Sequence, residues 1–399
     1  MFAACADGKS HITGLADGAD VASTVAVLRR VGVHVGNDGS GITTVTSGGF
    51  ESLREPDGVL ECGNSGSTLR MMAGLLAGRP LAAVLTGDAS LSTRPMGRVI
   101  EPLRAMGATI DGSDGGTHAP ITLSGGPLRG VRHELQVASG QVKTALVLAG
   151  MQADGITEIV EPNESRDHTE RMLAALGASV EQSGSTTLRV RRSSPVPFDL
   201  VVPGDTSSAA FLVVAATIIP GSTIVIEGVS LNPRRIAYLD VLRSMGGNIE
   251  VRETGVELGE PVGEVSVSAA NLRAADIVGT ESIIDELPVL AIAAAFADGT
   301  TTISGAAELV VKESNRITTM VDLLTRFGVT AEPTPVGVIV RGGAPGGARV
   351  DSFGDHRIAL CGAVAGLAAS GETTVDNWSA VDVSYPTFSN DLASLLGVA

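Results

Sequence analysis

The chain has 399 residues, of which 44% are apolar and 3% aromatic, and it contains 50 glycines. Its formal net charge of -16 would repel nucleic acid and anionic lipid, so we expect neither partner. The apolar runs fall short of the roughly eighteen residues that a membrane span needs. Three scattered cysteines give neither a disulfide framework nor zinc-ligand spacing. Length and composition therefore predict a soluble cytoplasmic protein of two domains, without a metal.

The first residues, 1–6 (MFAACA), lack the basic start and long apolar stretch of a signal peptide. They are typical instead of the last turn or two of a helix, and no capping residue precedes them. We expect the chain to begin inside an element.

One pattern returns along the chain: a short β-branched strand, a glycine turn, an amphipathic helix that ends in glycine, and another strand. The copies lie at 12–35, 98–110, 156–180, 223–251, 302–331 and 385–397. Each helix-ending glycine suits the left-handed position that closes a helix. These glycines recur about every seventy residues, at Gly32, Gly107, Gly177, Gly246, Gly328 and Gly397.

This period is longer than that of solenoid repeats, and each unit is large enough to form a βαβ subdomain. Three prolines in 193–205 interrupt the pattern after the third copy and mark the best boundary. We predict an α/β fold of two lobes with three units each, residues 1–203 and 204–399. Two such lobes would close by a hinge over a ligand held between them.

In the first lobe, small polar residues and cations precede apolar helices, where free backbone N–H groups can bind an anion. Gly66 lies in the turn 63–68 (GNSGST), and Arg94 follows in a loop of small polar residues. Ser139 and Gln141 open one later helix, and Ser165 opens another. Each of these starts could instead be simple capping or a surface arginine, and both interpretations stay open.

In the second lobe, Asp285 and Glu286 stand before the apolar helix of 287–297, where a carboxylate is either a cap or a general base with a raised pKa. Lys312 and Arg316 are spaced to share one helical face, where two like charges are unfavourable unless an anion binds. Arg357 precedes a further apolar helix. Cations at such junctions in an acidic protein predict a substrate with at least two anionic groups.

Eight motifs, in order and spacing, resemble those of the 5-enolpyruvylshikimate-3-phosphate (EPSP) synthase family. They are NSGSTLR, LSTRPMGRVIEPLR, SGQVK, ESRDHTERM, PGDTSSAAF, DELPVLA, VKESNRI and GDHRIA. The resemblance implies an inside-out α/β barrel of six βαβαββ units, three in each lobe, with the first unit incomplete. It also implies transfer of enolpyruvate from phosphoenolpyruvate to the 5-hydroxyl of shikimate 3-phosphate, by a monomer without a cofactor.

The resemblance assigns roles to individual positions. The shikimate 3-phosphate contacts would be Ser139, Gln141, Ser165, Asp285 and Lys312. The phosphoenolpyruvate contacts would be Gly66, Arg94, Gln141, Arg316 and Arg357. Asp285 would take the proton of the 5-hydroxyl, while Glu313 or Lys312 would protonate the methylene carbon. Because Gly66 holds the position where a bulkier side chain would crowd phosphoenolpyruvate analogues, the resemblance also implies inhibition by glyphosate.

The sequence departs from the family pattern in three places. The family's Pro-Gly-Asp-Lys-Ser-x-Ser-His-Arg segment would lie just before Met1, so we expect an authentic start roughly fifteen to thirty residues earlier, and weak binding and poor turnover without it. Val383 replaces a lysine of the C-terminal family motif, and Gly140 replaces a Ser or Ala.

Three other functions compete with this one. The related enzyme that loads enolpyruvate onto UDP-N-acetylglucosamine would carry a cysteine before its Arg-Pro, but residues 92–95 read STRP. A weakly active or inactive ligand-binding form is a second alternative, because the family segment that contains the lysine does not occur in this sequence. An RNA-phosphate cyclase or nucleic-acid clamp is disfavoured by the acidic charge.

Overall fold

The computed structural model describes residues 1–37 and 39–397. The chain divides into two compact units, each with a hydrophobic core of its own. Unit one comprises Met1–Val202 and Glu257–Glu260, and unit two comprises Pro203–Val256 and Pro261–Ala399.

Unit one contains short strands and helices in alternation. Its helices are α1 (Phe2–Cys5), α2 (Ala19–Arg30), α3 (Gly66–Ala77), α4 (Ala89–Ser92), α5 (Gly97–Ala105), α6 (Ser113–Gly116), α7 (Gly140–Gly150) and α8 (His168–Ala175). Its strands are β1 (Asp7–Thr13), β2 (His34–Asn37), β3 (Ile42–Gly48), β4 (Leu60–Glu61), β5 (Ala82–Thr86), β6 (Thr109–Gly112), β7 (His118–Ser124), β8 (Arg132–Glu134), β9 (Ile156–Val160), β10 (Val180–Gln182), β11 (Thr187–Arg191) and β12 (Asp199–Val201).

Unit two continues the alternation. Its helices are α9 (Thr206–Ile218), α10 (Ala237–Ser244), α11 (Leu287–Ala295), α12 (Arg316–Arg326), α13 (His356–Ala368) and α14 (Phe388–Leu396). Its strands are β13 (Thr223–Ser230), β14 (Asn248–Glu257), β15 (Glu260–Ser268), β16 (Asp276–Val278), β17 (Thr300–Ser304), β18 (Thr330–Thr334), β19 (Gly337–Arg341), β20 (Arg349–Asp351) and β21 (Thr374–Asp376).

The sheets repeat one topology. Four of them have the orders β12-β1-β3-β2, β4-β5-β7-β6, β8-β9-β11-β10 and β16-β17-β19-β18, each with a parallel edge pair followed by antiparallel pairs. The other two, β13-β15-β14 and the parallel pair β20-β21, are shorter forms. The described residues thus contain six sheets, three in each unit, of which the first four are mixed, and the predicted α/β class is confirmed.

The predicted helix ends are confirmed as well. The glycines after α2, α5, α8, α10, α12 and α14 all have a positive φ, between 66° and 108°. A side chain would be strained there, so glycine ends each amphipathic helix at low cost. The last copy of the pattern differs from the prediction, because within 385–397 the structure has α14 without a flanking strand. Residues 2–5 do form a short helix, as expected.

A second class of helix is apolar and mostly buried: α3, α7, α9, α11 and α13. These helices occupy the cores. Their backbone N–H groups are hydrogen-bonded within the helix except in the first turn, so free N–H groups lie only at the helix start. The residues that precede them are all polar: Ser65, Ser139, Asp205, Glu286 and Asp355. Within residues 1–37 and 39–397, no helix is both long enough and apolar enough to cross a membrane.

The core of unit one depends on a close approach of α3 to α7. A Cβ atom on Gly74 would lie 2.1 Å from the carbonyl oxygen of Ala145, nearer than atoms can come. Gly74→Ala should therefore push the helices apart and destabilise the fold by about 1–3 kcal/mol. Thermal unfolding measures this effect. Gly97→Ala is the matched control, since its added atom would come no nearer than 3.9 Å to Gly116. Equal unfolding temperatures for both variants would contradict the packing.

Candidate active site

Unit one gathers several predicted residues at the start of α3. A Cβ on Gly66 would lie 2.7 Å from Nη1 of Arg70 and 3.6 Å from Nη1 of Arg94. Arg70 donates to Oε1 of Gln141 at 2.5 Å, and Gln141 donates from Nε2 to Ser67 at 3.0 Å. Gly66, Arg94 and Gln141 are thus close together, and Arg70 joins them. Two guanidiniums beside a helix N-terminus form a cationic surface suited to an anion.

Arg94 is held in place by a short relay. Its Nη2 donates to Oδ1 of Asn64 at 2.7 Å, and Asn64 donates to Asp88 at 2.7 Å. Asp88 also caps α4 by accepting from the N–H of Leu91. The loop arginine is therefore oriented by its neighbours rather than loose on the surface.

The other two predicted residues of unit one lie on adjoining segments. The Ser139 hydroxyl accepts from the N–H of Val142 at 3.5 Å, a long cap for α7. Ser165 is buried in the connection between β9 and α8. A Cβ on Gly140 would lie 3.6 Å from Cβ of Arg166, so the start of α7 contacts this connection.

Behind these segments lies a buried ion cluster that the sequence did not predict. Nζ of Lys143 lies 3.0 Å from Glu161 and 2.8 Å from Glu170, and all three side chains are at least 92% buried. Glu161 precedes the connection that carries Ser165, and Glu170 follows it, so Lys143 fastens it to α7 on both sides. Burial raises the pKa of Glu170 against the opposing effect of the Lys143 ammonium.

In unit two, three cationic side chains lie within 4.0 Å of the Asp285 carboxylate. Its Oδ1 lies 3.3 Å from Lys312 Nζ and 3.4 Å from Arg316 Nη1, and its Oδ2 lies 4.0 Å from Arg357 Nη2. Arg357 also donates from Nη1 to the backbone carbonyl of Asp285 at 2.7 Å. The Asp285 side chain is paired with these cations and is not used as a helix cap. The four predicted residues of this set, Asp285, Lys312, Arg316 and Arg357, are thus brought together around one carboxylate.

Arg316 is the buried centre of this set, with a side chain only 1% exposed. It donates from Nε to Asp355 at 2.8 Å and from Nη2 to Glu313 at 2.5 Å. Burial opposes the charge of the guanidinium, but Asp355 and Glu313 outweigh it and raise the pKa of Arg316. Burial likewise disfavours the Asp355 carboxylate, yet Arg316 holds the pKa of that group below its usual range.

His356 lies between the same charges. Burial, together with Arg357 and Arg316, lowers the pKa of His356 to about 4, so this imidazole is neutral at neutral pH.

The predicted geometry of Lys312 and Arg316 is wrong. Lys312 directly follows the 3-10 helix Ala307–Val311 in an extended conformation, and α12 begins only at Arg316. The two cations therefore do not share a helical face. Their repulsion is offset by Asp285, which both approach, so their spacing by itself is no evidence for a bound anion.

Sequence reasoning missed Arg70, Ser207 and Arg235 as members of these sets. Arg70 stands four residues after Gly66 and so on the same face of α3, a signal that could have been used. Ser207 and Arg235 contact the site only through residues that are distant in the sequence.

Among the described residues, no group of three or more His, Cys, Asp or Glu side chains could hold a metal ion.

Comparison with known proteins identifies the family. The family model described as EPSP synthase (3-phosphoshikimate 1-carboxyvinyltransferase) matches residues 1–392. The chain belongs to the EPSP synthase family. A relative from Herpetosiphon aurantiacus named 3-phosphoshikimate 1-carboxyvinyltransferase is 48% identical over 394 residues, covering 97% of this chain and 91% of its own. One of the same name from Bacillus cereus is 45% identical over 398 residues, covering 99% and 92%.

Solved structures agree with this membership. An EPSP synthase from Acinetobacter baumannii superposes with a TM-score of 0.88 at 38% identity, covering 99% of this chain and 91% of that one. The enolpyruvyl transferase NikO from Streptomyces tendae reaches 0.78 at 20% identity, covering 98% and 90%, and shows that the fold is shared. The EPSP synthase fold therefore extends over the chain.

The ion cluster behind the EPSP synthase motif of α7 gives a stability prediction. Lys143→Met should destabilise the protein by about 3–5 kcal/mol, because it leaves two buried carboxylates without their cation. The loss should shrink as the pH falls, since protonated carboxyls no longer need the ammonium. Thermal unfolding from pH 8 to pH 5 measures both effects.

Two further variants control this test. Lys9→Met removes an exposed lysine of β1 and should change stability by less than about 0.5 kcal/mol. Adding Glu170→Gln to Lys143→Met should recover part of the loss. An equal effect of Lys9→Met and Lys143→Met would contradict the account of the cluster.

Proposed function

We propose that this chain transfers the enolpyruvyl group of phosphoenolpyruvate to the 5-hydroxyl of shikimate 3-phosphate, giving 5-enolpyruvylshikimate 3-phosphate and phosphate. The observation that carries the proposal is membership of the EPSP synthase family over nearly the whole chain, with relatives of that named activity at 45–48% identity. The reaction is a step of the shikimate pathway toward chorismate and the aromatic amino acids.

We assign shikimate 3-phosphate to the hydroxyl and amide groups of unit one, Ser139, Gln141 and Ser165. The support is that these donors lie at or beside the start of α7, where backbone N–H groups add to an anion site. We assign phosphoenolpyruvate to Gly66, Arg94 and Gln141. Here the support is the pair of guanidiniums, Arg70 and Arg94, that flanks a glycine without a side chain.

In unit two we assign phosphoenolpyruvate to Arg316 and Arg357, and shikimate 3-phosphate to Lys312 and Asp285. Arg316 is fully charged and fixed by its carboxylate partners, which is what a rigid anion clamp requires. Lys312 is 27% exposed, so its ammonium can reach a ligand while it stays near Asp285.

The proposed chemistry uses one base and one acid. Asp285 takes the proton of the attacking 5-hydroxyl, and Glu313 or Lys312 delivers a proton to the methylene carbon of phosphoenolpyruvate. The neighbouring carbon becomes cationic and the hydroxyl oxygen bonds to it, giving a tetrahedral ketal phosphate. Loss of a methyl proton and of phosphate restores the double bond. The cations around Asp285 stabilise its ionised form at the start of this cycle.

We also propose a monomer that acts in the cytoplasm. The three cysteines, Cys5, Cys62 and Cys361, are buried free thiols, as a reducing compartment allows. Sedimentation of the purified protein at micromolar concentration tests the first point, and a dimer would refute it.

Phosphate release with both substrates tests the activity. We expect release that requires phosphoenolpyruvate and shikimate 3-phosphate together, and a product whose mass equals shikimate 3-phosphate plus the enolpyruvyl group. Tight binding of shikimate 3-phosphate in a calorimeter without turnover would favour an inactive ligand-binding protein instead. Turnover with UDP-N-acetylglucosamine in place of shikimate 3-phosphate would favour the related transferase.

The role of Asp285 gives a kinetic prediction. Asp285→Asn should lower kcat by about 10²- to 10⁴-fold, the usual loss when a general base is removed. Binding of shikimate 3-phosphate, measured by calorimetry, should weaken far less. Asp276→Asn on the exposed side of β16 is the matched control and should leave kcat unchanged. A kcat within tenfold of the unsubstituted chain would remove Asp285 from the role of base.

Gly66 gives a prediction on inhibition. Glyphosate should inhibit phosphate release competitively with phosphoenolpyruvate at concentrations below millimolar. Gly66→Ala should raise the inhibitory concentration by about tenfold or more, because its methyl group would occupy the space between Arg70 and Arg94. An inhibition curve for the unsubstituted chain that stays flat to millimolar glyphosate would refute the assignment.

A further inference from the structure

Glu286 is a buried carboxylate to which the proposed chemistry gives no role. It is 1% exposed and immediately precedes α11, the most uniformly buried helix of unit two. Its side chain does not cap that helix. A buried carboxylate costs several kcal/mol unless it is compensated, so its partners indicate what its charge is for.

One partner is a relay from the start of α9. The hydroxyl of Ser207 donates to Oε1 of Glu286 in a short hydrogen bond. The same hydroxyl accepts from Nη2 of Arg235 at 2.8 Å, and Arg235 also donates to Asp205, the cap of α9, at 3.0 Å. The Ser207 hydroxyl has a single proton. Because its oxygen accepts a hydrogen bond from Arg235, that proton is free to be donated to Glu286. The relay therefore fixes one face of the carboxylate.

The other partner is Arg357 at the start of α13. Nη1 of Arg357 lies 3.8 Å from Oε1 of Glu286 and donates to the carbonyl oxygen of Asp285 at 2.7 Å. One guanidinium nitrogen is thus directed to the start of α11 by a carboxylate and a carbonyl together. The Arg357 side chain is 13% exposed, so part of it remains accessible to a ligand.

We propose that Glu286 is a positioning residue for Arg357 in enolpyruvyl transfer. The buried charge holds the guanidinium against the start of α11, so that its exposed part is oriented before phosphoenolpyruvate binds. Arg235 and Ser207 act through Glu286 to the same end. The inference rests on the proposed function, since it assigns Arg357 to phosphoenolpyruvate. Without the charge, the arginine samples other rotamers, and the substrate has to order it on binding.

Steady-state kinetics of phosphate release test the inference. Glu286→Gln keeps the shape and the Ser207 contact but removes the charge, and it should raise KM for phosphoenolpyruvate about tenfold. KM for shikimate 3-phosphate and kcat should change less than about threefold. Ser207→Ala, which leaves the charge but removes the relay, should raise the same KM by a smaller factor. Glu332→Gln, an exposed acid of β18, is the matched control and should change neither constant.

Glu286→Asp separates a positioning role from a packing role. If the charge matters, Asp should restore KM for phosphoenolpyruvate toward the unsubstituted value and be better than Gln. If Glu286 only fills space, the shorter Asp should be worse than Gln, and KM for both substrates should follow thermal stability. That pattern, or an unchanged or lowered KM for phosphoenolpyruvate in Glu286→Gln, would overturn the inference.

The same experiments distinguish this inference from the function on which it rests. If the unsubstituted chain releases no phosphate with both substrates, the proposed function fails. If it is active and the variants leave KM for phosphoenolpyruvate unchanged, the function stands and only the role of Glu286 fails. If Glu286→Gln does not fold, the Ser207→Ala variant decides by its own KM.

Discussion

The ion pair between Arg316 and Asp355 is the contact on which the arrangement in unit two depends. Both side chains are almost completely buried, so neither charge could be kept there without the other. The pair joins the starts of α12 and α13, and Arg316 extends it to Glu313 and Asp285. A charged group fixed in this way needs little reorganisation when a substrate binds, which is the main requirement for electrostatic catalysis.

Fixed polar or charged residues also precede the buried helices of both cores. Each buried helix is mostly apolar after its first turn or so, and its charged and polar contacts therefore lie at or near the helix start. In unit one the preceding residues are the neutral Ser65 and Ser139, and in unit two they are the acids Asp205, Glu286 and Asp355. The acids of unit two are matched by cations, and the result is a preorganised set of charges in a protein whose surface is otherwise acidic.

Much of this could be predicted from the sequence, because its signals are local. A glycine that ends an amphipathic helix is recognised within a few residues, and so the repeat and its six units were predictable. The helix starts with Gly66, Gln141 and Arg357 were predictable for the same reason. The motifs in their order also indicated the EPSP synthase family, which the comparisons confirm.

The failures concern contacts that depend on tertiary structure. The spacing of Lys312 and Arg316 predicts that they share a helix, but the chain is extended at Lys312 and α12 begins only at Arg316. The pairing of Lys143 with Glu161 and Glu170 joins α7 to β9 and α8, and no spacing reveals it. Glu286 resembled a helix cap by its position, whereas its partners show an ionic role.

In the proposed reaction, enolpyruvyl transfer passes through a tetrahedral intermediate in which the methylene carbon of phosphoenolpyruvate has become a methyl group, and this chain supplies the acid and the base. Turnover of both substrates in deuterium oxide tests it most directly, with mass spectrometry of the product. The account predicts deuterium in the methylene group of the transferred enolpyruvyl unit, because a solvent deuteron is added to that carbon and a proton can leave in its place. A product formed without deuterium at that carbon, or phosphate released without shikimate 3-phosphate, would contradict it.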